Sequence, residues 1–385
     1  MKVFKLIYKN AMRHKLRTFL TILALALAVM AFGLIRSLIT AWYAGARAAA
    51  PDRLICRHAV SLVFYLPLAY KDQLLQIDGV KEVTYAIWFN GIYVDPKNFF
   101  PQFGVDHTTY FDIFPEFMVP PDQLEAFNRE RNAAIVGRGL ADRYGWKIGD
   151  DVTLIGTIYP GNWDFVIRGI YTGKDQDVDE TFFVFRFDYL DEAMKRDSPG
   201  RAGQIGWFAL KIDDPNRSAQ ISAAVDRRFA NSWAETRTET EKEFQLSFVQ
   251  MSGAIVVGMR VISYLILGVI LLVLVNTMAM TARERVSENA FMRTLGFRGY
   301  HLVGLILGES LLIAVLGGLL GMGLLALASN LVRIALSGYF PGYSADLPTY
   351  LISMTASIAV GILASAFPIR RALSIRIVDG LRVVD

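Results

Sequence analysis

The chain has 385 residues, of which 53% are hydrophobic and 20% charged, with a formal charge of +4. A water-soluble domain carries roughly 45–50% and 25%, so a wholly soluble body is excluded, and the lone Cys56 excludes an intramolecular disulfide. The basic residues sit beside apolar blocks instead of along one exposed stripe, which points to a membrane surface and away from nucleic acid.

In chain order, a basic amphipathic start at 1–17 leads into an apolar block at 18–42. Further apolar blocks follow at 252–280, 300–328 and 350–369. Each has the ~20 residues that carry a helix across ~30 Å of hydrocarbon, and a helix is the default because lipid offers backbone groups no partners except their own. Arg36 lies near one end of the first block, where its side chain can snorkel to the headgroups. The same block is longer than the ~7–15 apolar residues of a cleaved signal peptide, so retention is expected. Lys and Arg gather before the first block, between the second and third, and after the fourth. By the positive-inside rule both termini, the segment 281–299 and the tail 370–385 are cytoplasmic, whereas 43–251 and the loop 329–349 lie outside the cytosol.

The insert 43–251 has short apolar runs separated by Pro, Gly, Asp and Asn. Helices are expected at Tyr70–Ile77, Arg138–Tyr144 and Ser218–Phe229, with Gly79 and Gly145 as their stops. Strands are expected within Val80–Val94 and at Asn132–Val136, Val152–Ile155, Asp164–Tyr171 and Gln204–Ile212. Mixed elements without a βαβ rhythm predict an α+β domain, with two lobes expected. Ser232–Phe248, rich in Glu and Thr, reads as a polar helix or stalk leading to the second span.

Catalytic constellations are sought without success. His14, His58, His107 and His301 are scattered, without a second ligand at metal spacing, and read as ordinary surface or interface residues. Asp175, Asp177 and Asp179 imitate the start of a calcium loop, but Glu180 and Arg186 stand where Gly and Glu are required, so an exposed acidic loop is expected. Gly308-Glu309-Ser310 begins like a nucleophile elbow that Leu312 spoils, and Gly137 and Gly139 begin a dinucleotide fingerprint that Asp142 ends. With no Gly-rich loop closing on Gly-Lys-Ser or Gly-Lys-Thr, the chain is not expected to hydrolyse nucleotide or to hold a metal or cofactor.

The spans themselves carry small residues at helix-packing intervals: Gly304, Gly308, Gly317 and Gly321 in the third, and Ser357, Gly361 and Ser365 in the fourth. Glu309 is the acidic residue within a span, and pairing with a basic residue or a helix end is preferred to a transport role. Asn276 reads as interhelical glue. Between the second and third spans, Thr281–Gly299 predicts one amphipathic helix with Glu284, Arg285, Glu288 and Arg293 as charges, Val286, Ala290, Phe291 and Leu295 as its apolar face, and Gly296 as its stop. Periodicity leaves two readings even: a connector at the membrane surface, or a helix offered to a partner's groove.

The ordered motifs resemble the permease subunits of MacB/FtsX-type ABC transporters, also called type VII or mechanotransmission transporters. The matching residues are Arg283-Glu284-Arg285 with Glu288, Arg293-Thr294-Leu295-Gly296-Phe297, Glu309-Ser310, Gly317-Gly318 to Gly321, Pro368–Ala372 and Leu381-Arg382. In the outer domain, Gly79-Val80 and Ala141–Gly145 with Gly149-Asp150 are similar to the family's periplasmic core. The resemblance implies a bacterial inner-membrane subunit that binds a separate ABC ATPase dimer carrying ATP and Mg²⁺. It also implies pairing with a second copy or a paralogous permease, and work with a periplasmic adaptor, lipoprotein or hydrolase. It makes Arg283, Glu284, Arg285, Glu288, Phe291, Arg293, Leu295 and Gly296 the ATPase-coupling set, and implies that hydrolysis in the cytosol moves the outer domain to export or extract a substrate. A receptor would need a cytoplasmic output domain that the short loops cannot hold, and a membrane enzyme would need a catalytic constellation.

Overall fold

The computed structural model describes Ile7, Lys9 and residues 12–175, 177–336 and 343–374. Most of the expected amphipathic start, residues 337–342 of the outer loop, and the end of the tail with the Leu381-Arg382 motif lie outside the described residues. The chain forms two compact units, one of membrane helices and one spanning Ala41–Ser252.

Four helices are long and apolar enough to cross a membrane: Lys15–Trp42, Gly253–Glu284, Gly299–Arg333 within a helix that runs to Leu336, and Leu347–Ser374. The third helix therefore continues past 328 and the fourth begins before 350, which shortens the expected outer loop from both sides. All four contribute to one apolar cluster, with Leu25 and Val29 of the first, Ile270 and Leu274 of the second, Ile313 and Ala314 of the third, and Val360 and Ala364 of the fourth.

Glycine and serine bring these helices into close contact. A Cβ at Gly317 would stand 2.8 Å from Leu25, and one at Gly321 would stand 2.7 Å from the Ala26 carbonyl oxygen, so backbones of the first and third spans nearly touch. Gly361 lies against Ala314, and the Ser357 hydroxyl donates to the Ala314 carbonyl at 2.7 Å. Gly308 lies against Ile7, whereas Gly304 faces open space and Ser365 donates only to its own helix at Ile362. Gly321→Leu is expected to cost about 1–3 kcal/mol through overpacking and to lower the melting temperature in detergent. Gly323→Leu, with nothing within 4 Å of the added Cβ, is expected to leave it unchanged.

In the outer domain, period-two alternation builds a sheet with both faces covered. Leu54 and Cys56, Ala134 and Val136, Phe183 and Phe185, and Phe208 and Leu210 point into one apolar cluster, while their neighbours Ile55, Ile135, Val184 and Ala209 point into another. Burial pushes the Cys56 thiol up to about 12, so it behaves as a small apolar residue. Eleven strands join in this sheet among the described residues. From one edge the order is Thr236–Thr240, Arg53–His58, Trp207–Ile212, Val80–Trp88, Gln102–Val105, Phe183–Arg186, Ala133–Gly137, Gly161–Gly173, Asp151–Gly156 and Gly91–Ile92, with Phe117–Met118 paired to Gly161–Gly173. Phe183–Arg186 runs parallel to Gln102–Val105, and Ala133–Gly137 runs parallel to Gly161–Gly173. The two expected lobes are thus joined by one continuous sheet.

Helices occur at Tyr70–Leu74, Arg138–Tyr144 and Ser218–Arg228. Gly145 takes φ +71° while the Trp146 N–H returns to the Ala141 carbonyl, the expected left-handed stop. Two expectations need correction. Gln204–Ile212 is two strands, because Gly206, where a Cβ would stand 3.1 Å from the Ala86 carbonyl, separates Gln204–Ile205 from Trp207–Ile212. The Ser232–Phe248 segment is not one polar stalk: Thr236–Thr240 is the edge strand, with Thr236 and Thr238 bonded to Asp226, and only Glu241–Met251 is helical. Thr240 and Glu243 close a capping box at that helix start.

Candidate functional site

The segment between the second and third spans is not the single helix expected over Thr281–Gly299. The second spanning helix runs through to Glu284, Arg285 leaves helical geometry at φ −105° and ψ 16°, and a new helix spans Val286–Thr294. The break lets Arg285 reach back into the membrane unit, where its Nη1 donates to Glu309 Oε2 at 2.7 Å with both side chains largely buried. Glu309 is thereby held in an ion pair, the preferred reading of that residue. The adjoining Ser310 is fully buried and donates to the Gly361 carbonyl at 2.5 Å, bonding the third span to the fourth.

At the far end the helix stops in a Schellman motif. Gly296 has φ +87°, its N–H returns to the Arg293 carbonyl, and the Phe297 N–H returns to the Met292 carbonyl. Arg293 also donates to the Leu373 carbonyl at 3.3 Å, which ties this end to the fourth span.

The acidic side chains of the segment are engaged by the approach to the first span. Arg17 makes a bidentate pair with Glu284 at 3.0 and 2.7 Å, His14 lies 3.5 Å from the same carboxylate, and Arg13 pairs with Glu288. Phe291 is 58% exposed, Leu295 63% and Phe297 44%, beside exposed Thr294 and Arg298, while Ala290 is buried. Arg283 is also exposed. The eight residues expected to couple thus divide into Glu284, Arg285, Glu288 and Arg293, which brace the segment from within the chain, Gly296, which ends it, and Arg283, Phe291 and Leu295, which face outward.

Arg285→Ala is expected to destabilise the membrane unit by about 3–5 kcal/mol, because it strands Glu309 as a buried charge. Arg285→Met combined with Glu309→Met is expected to be near neutral. Thermal unfolding of the two variants in detergent checks both outcomes, and equal losses would sink the buried-pair account.

Two family models match the sequence: the MacB-like periplasmic core domain over residues 18–228 and the FtsX-like permease C-terminal region over residues 260–377. The chain belongs to the MacB/FtsX-type permease family. Among solved structures, the permease is similar to the periplasmic region of MacB from Actinobacillus actinomycetemcomitans, with 10% identity and a TM-score of 0.37 over 52% of this chain and 94% of that one. It is also similar to the extracellular domain of the ABC-type transporter YknZ from Gram-positive bacteria, with 12% identity and a TM-score of 0.36 over 49% of this chain and 99% of that one. No curated protein matches the chain. This permease is therefore a multi-pass membrane subunit of an ABC transporter with a periplasmic domain, in a family whose members work with an ABC ATPase as dimers.

The remaining residues singled out in the sequence fall apart. Asn276 is exposed on its helix and its side chain makes no hydrogen bond among the described residues, so it is not glue within one chain. Arg36 has its Nε buried without a hydrogen-bond partner among the described residues. The calcium-like stretch is not simply an exposed acidic loop: Asp177 pairs with Arg47 at 2.7 Å, and Asp179 is half-buried and accepts from Thr181.

One buried ionic cluster in the permease carries little sequence signal. Arg53, just beyond the first span, is almost fully buried. It donates to Glu241 at 2.8 and 3.0 Å, to Glu116 at 2.5 Å and to the Ile113 carbonyl at 2.7 Å, and it lies 4.0 Å over the Phe114 ring. Glu241 also accepts from the Ala50 N–H at 2.8 Å. Burial pushes the Glu241 carboxyl up, against the pull of Arg53. The cluster clamps the strand that follows the first span to the helix that precedes the second.

Proposed function

We propose that this permease couples ATP hydrolysis by a separate ATPase subunit to movement of its periplasmic domain, and so drives export or extraction of a substrate by mechanotransmission. The observation that carries the reading is the exposed apolar knob of Phe291, Leu295 and Phe297 on a helix whose charges are already bound within the chain. Exposed aromatic and aliphatic side chains on a rigid support are what a partner's groove takes up.

In this reading ATP and Mg²⁺ are held by the ATPase, both termini and Val286–Thr294 are cytoplasmic, and the subunit sits in the bacterial inner membrane beside a second copy or a paralogous permease. Closure of the ATPase dimer pushes the coupling helix. Because Arg285 bonds Glu309 and Arg293 bonds the Leu373 carbonyl, the push reaches the third and fourth spans without a soft joint. The first span shares the load through Arg13 and Arg17. In the outer domain, the Arg53 clamp keeps the two segments joined to the first and second spans moving together. A periplasmic adaptor, lipoprotein or hydrolase would receive the movement.

The test is affinity purification of the tagged permease from cells that co-express the ABC ATPase subunits encoded in the same genome. Stoichiometric ATPase is expected in the eluate, and its absence from an otherwise folded permease would refute the coupling reading.

A further inference from the structure

The outer domain holds a cavity of about 790 Å³ walled entirely by residues between Ala41 and Phe248. Its lining is chiefly aromatic and aliphatic, with Trp88, Phe103, Phe182 and Trp207 among the rings. The volume falls within the ~300–1,000 Å³ range of sites that take drug-sized molecules.

The charged part of the lining has one sign. Glu116, Asp177, Asp179 and Glu241 line the cavity, and no Lys, Arg or His does so among the described residues. Some of this charge is balanced from behind. Arg47 offsets Asp177, and the one guanidinium of Arg53 faces the two carboxylates of Glu116 and Glu241. Asp179 accepts hydrogen bonds from the Thr181 N–H and hydroxyl and has no cationic partner among the described residues. Carboxylates in excess of cations, set among indole and phenyl faces, favour a positive guest over a neutral or negative one of the same shape.

The position of the walls says where such a guest comes from. Ala41 and Trp42 close the first spanning helix, and Phe244 and Phe248 belong to the helix that leads into the second span. A tryptophan at a helix end sits at headgroup depth, where amphiphiles concentrate. We propose that this cavity binds the apolar body of a small lipophilic cation drawn from the outer leaflet, with the cationic centre set against the Glu116, Asp179 and Glu241 wall.

This inference rests on the export reading for its purpose, but its test requires neither ATP nor the ATPase. Failure to bind would leave ATPase association standing, and loss of association would leave binding standing. The full-length permease in nanodiscs of uncharged lipid is titrated by calorimetry with tetraphenylphosphonium and, separately, with tetraphenylborate, an ion of nearly the same shape and opposite charge; titrations of empty discs are subtracted.

One phosphonium per chain is expected, bound at least about tenfold more tightly than the borate, a difference of ~1.4 kcal/mol. Val63 lines the cavity and is 78% exposed, so Val63→Arg should fold normally while lowering phosphonium affinity about tenfold and narrowing the gap to the borate. Trp88→Ala is expected to weaken both ions together. Equal affinities, tighter borate binding, no binding beyond empty discs, or phosphonium binding unmoved by both substitutions would each overturn the proposal.

Discussion

Leu295→Asp is expected to abolish recovery of the ATPase with this permease. Leu295 is 63% exposed at the C-terminal end of the helix Val286–Thr294, so the substitution removes no internal packing and the permease should still insert and melt normally. At a docked interface, however, an aspartate in place of a leucine loses apolar burial and strands a charge in an apolar groove, which costs roughly 2 kcal/mol or more and so reduces affinity about thirtyfold or beyond. Phe291→Ala is expected to act in the same direction. Glu288→Gln should act differently: its carboxylate is partly exposed and bound to Arg13, and exposed pairs contribute ~0–1 kcal/mol. Quantitative pull-down of the three variants separates the possibilities. Retention of the ATPase by Leu295→Asp, with loss in Glu288→Gln, would move the docking surface from the apolar knob to the charges.

The residues that face outward were legible in the sequence because helical spacing alone sets them: Phe291 and Leu295 are four apart and therefore share a face. The four spans were legible for a similar reason, since crossing a bilayer demands a length of apolar sequence that little else demands. The braces were not. Arg13 and Glu288 are separated by 275 positions, and nothing local distinguishes a glutamate that will meet an arginine of another helix from one that will meet a partner protein. The break at Arg285 was hidden for the same reason, because Thr281–Thr294 holds no Gly or Pro to mark it and the Glu309 that Arg285 meets there is 24 positions away. In the outer domain short apolar runs gave away several strands, but Arg53–His58, Gln102–Val105 and Phe183–Arg186 were not among those expected, and the edge strand Thr236–Thr240 was masked by its Glu and Thr content. Its signals were there to be read in the alternating threonines and in the Thr240 to Glu243 spacing of a capping box. Arg53 carried the weakest signal, as one more basic residue after a span.

Arg53→Met is expected to produce the largest stability loss in the outer domain. The substitution leaves the carboxylates of Glu116 and Glu241 facing each other without their shared cation, and removes the bond to the Ile113 carbonyl and the contact with the Phe114 ring. Breaking a buried ionic cluster in this way costs about 3–5 kcal/mol, whereas replacing all of its charged members together is often neutral. Arg53→Met combined with Glu116→Gln and Glu241→Gln should therefore regain most of the loss, because the amide introduced by Glu241→Gln keeps a carbonyl oxygen able to accept from the Ala50 N–H. The pH dependence fixes the cause. In Arg53→Met, the Glu241 carboxyl has a folded-state pKa raised above its unfolded value, so the folded state binds the proton more tightly and stability rises as pH falls through that folded value. The gap to the wild type is expected to be widest near pH 8 and to narrow toward pH 5, while the triple variant shows no such dependence on Glu241. Chemical unfolding followed through Trp146 and Trp163, both buried in this domain, measures it. A gap that stayed constant with pH would assign the loss to packing around Phe114, and the clamp would then join the two membrane-linked segments by shape and not by charge.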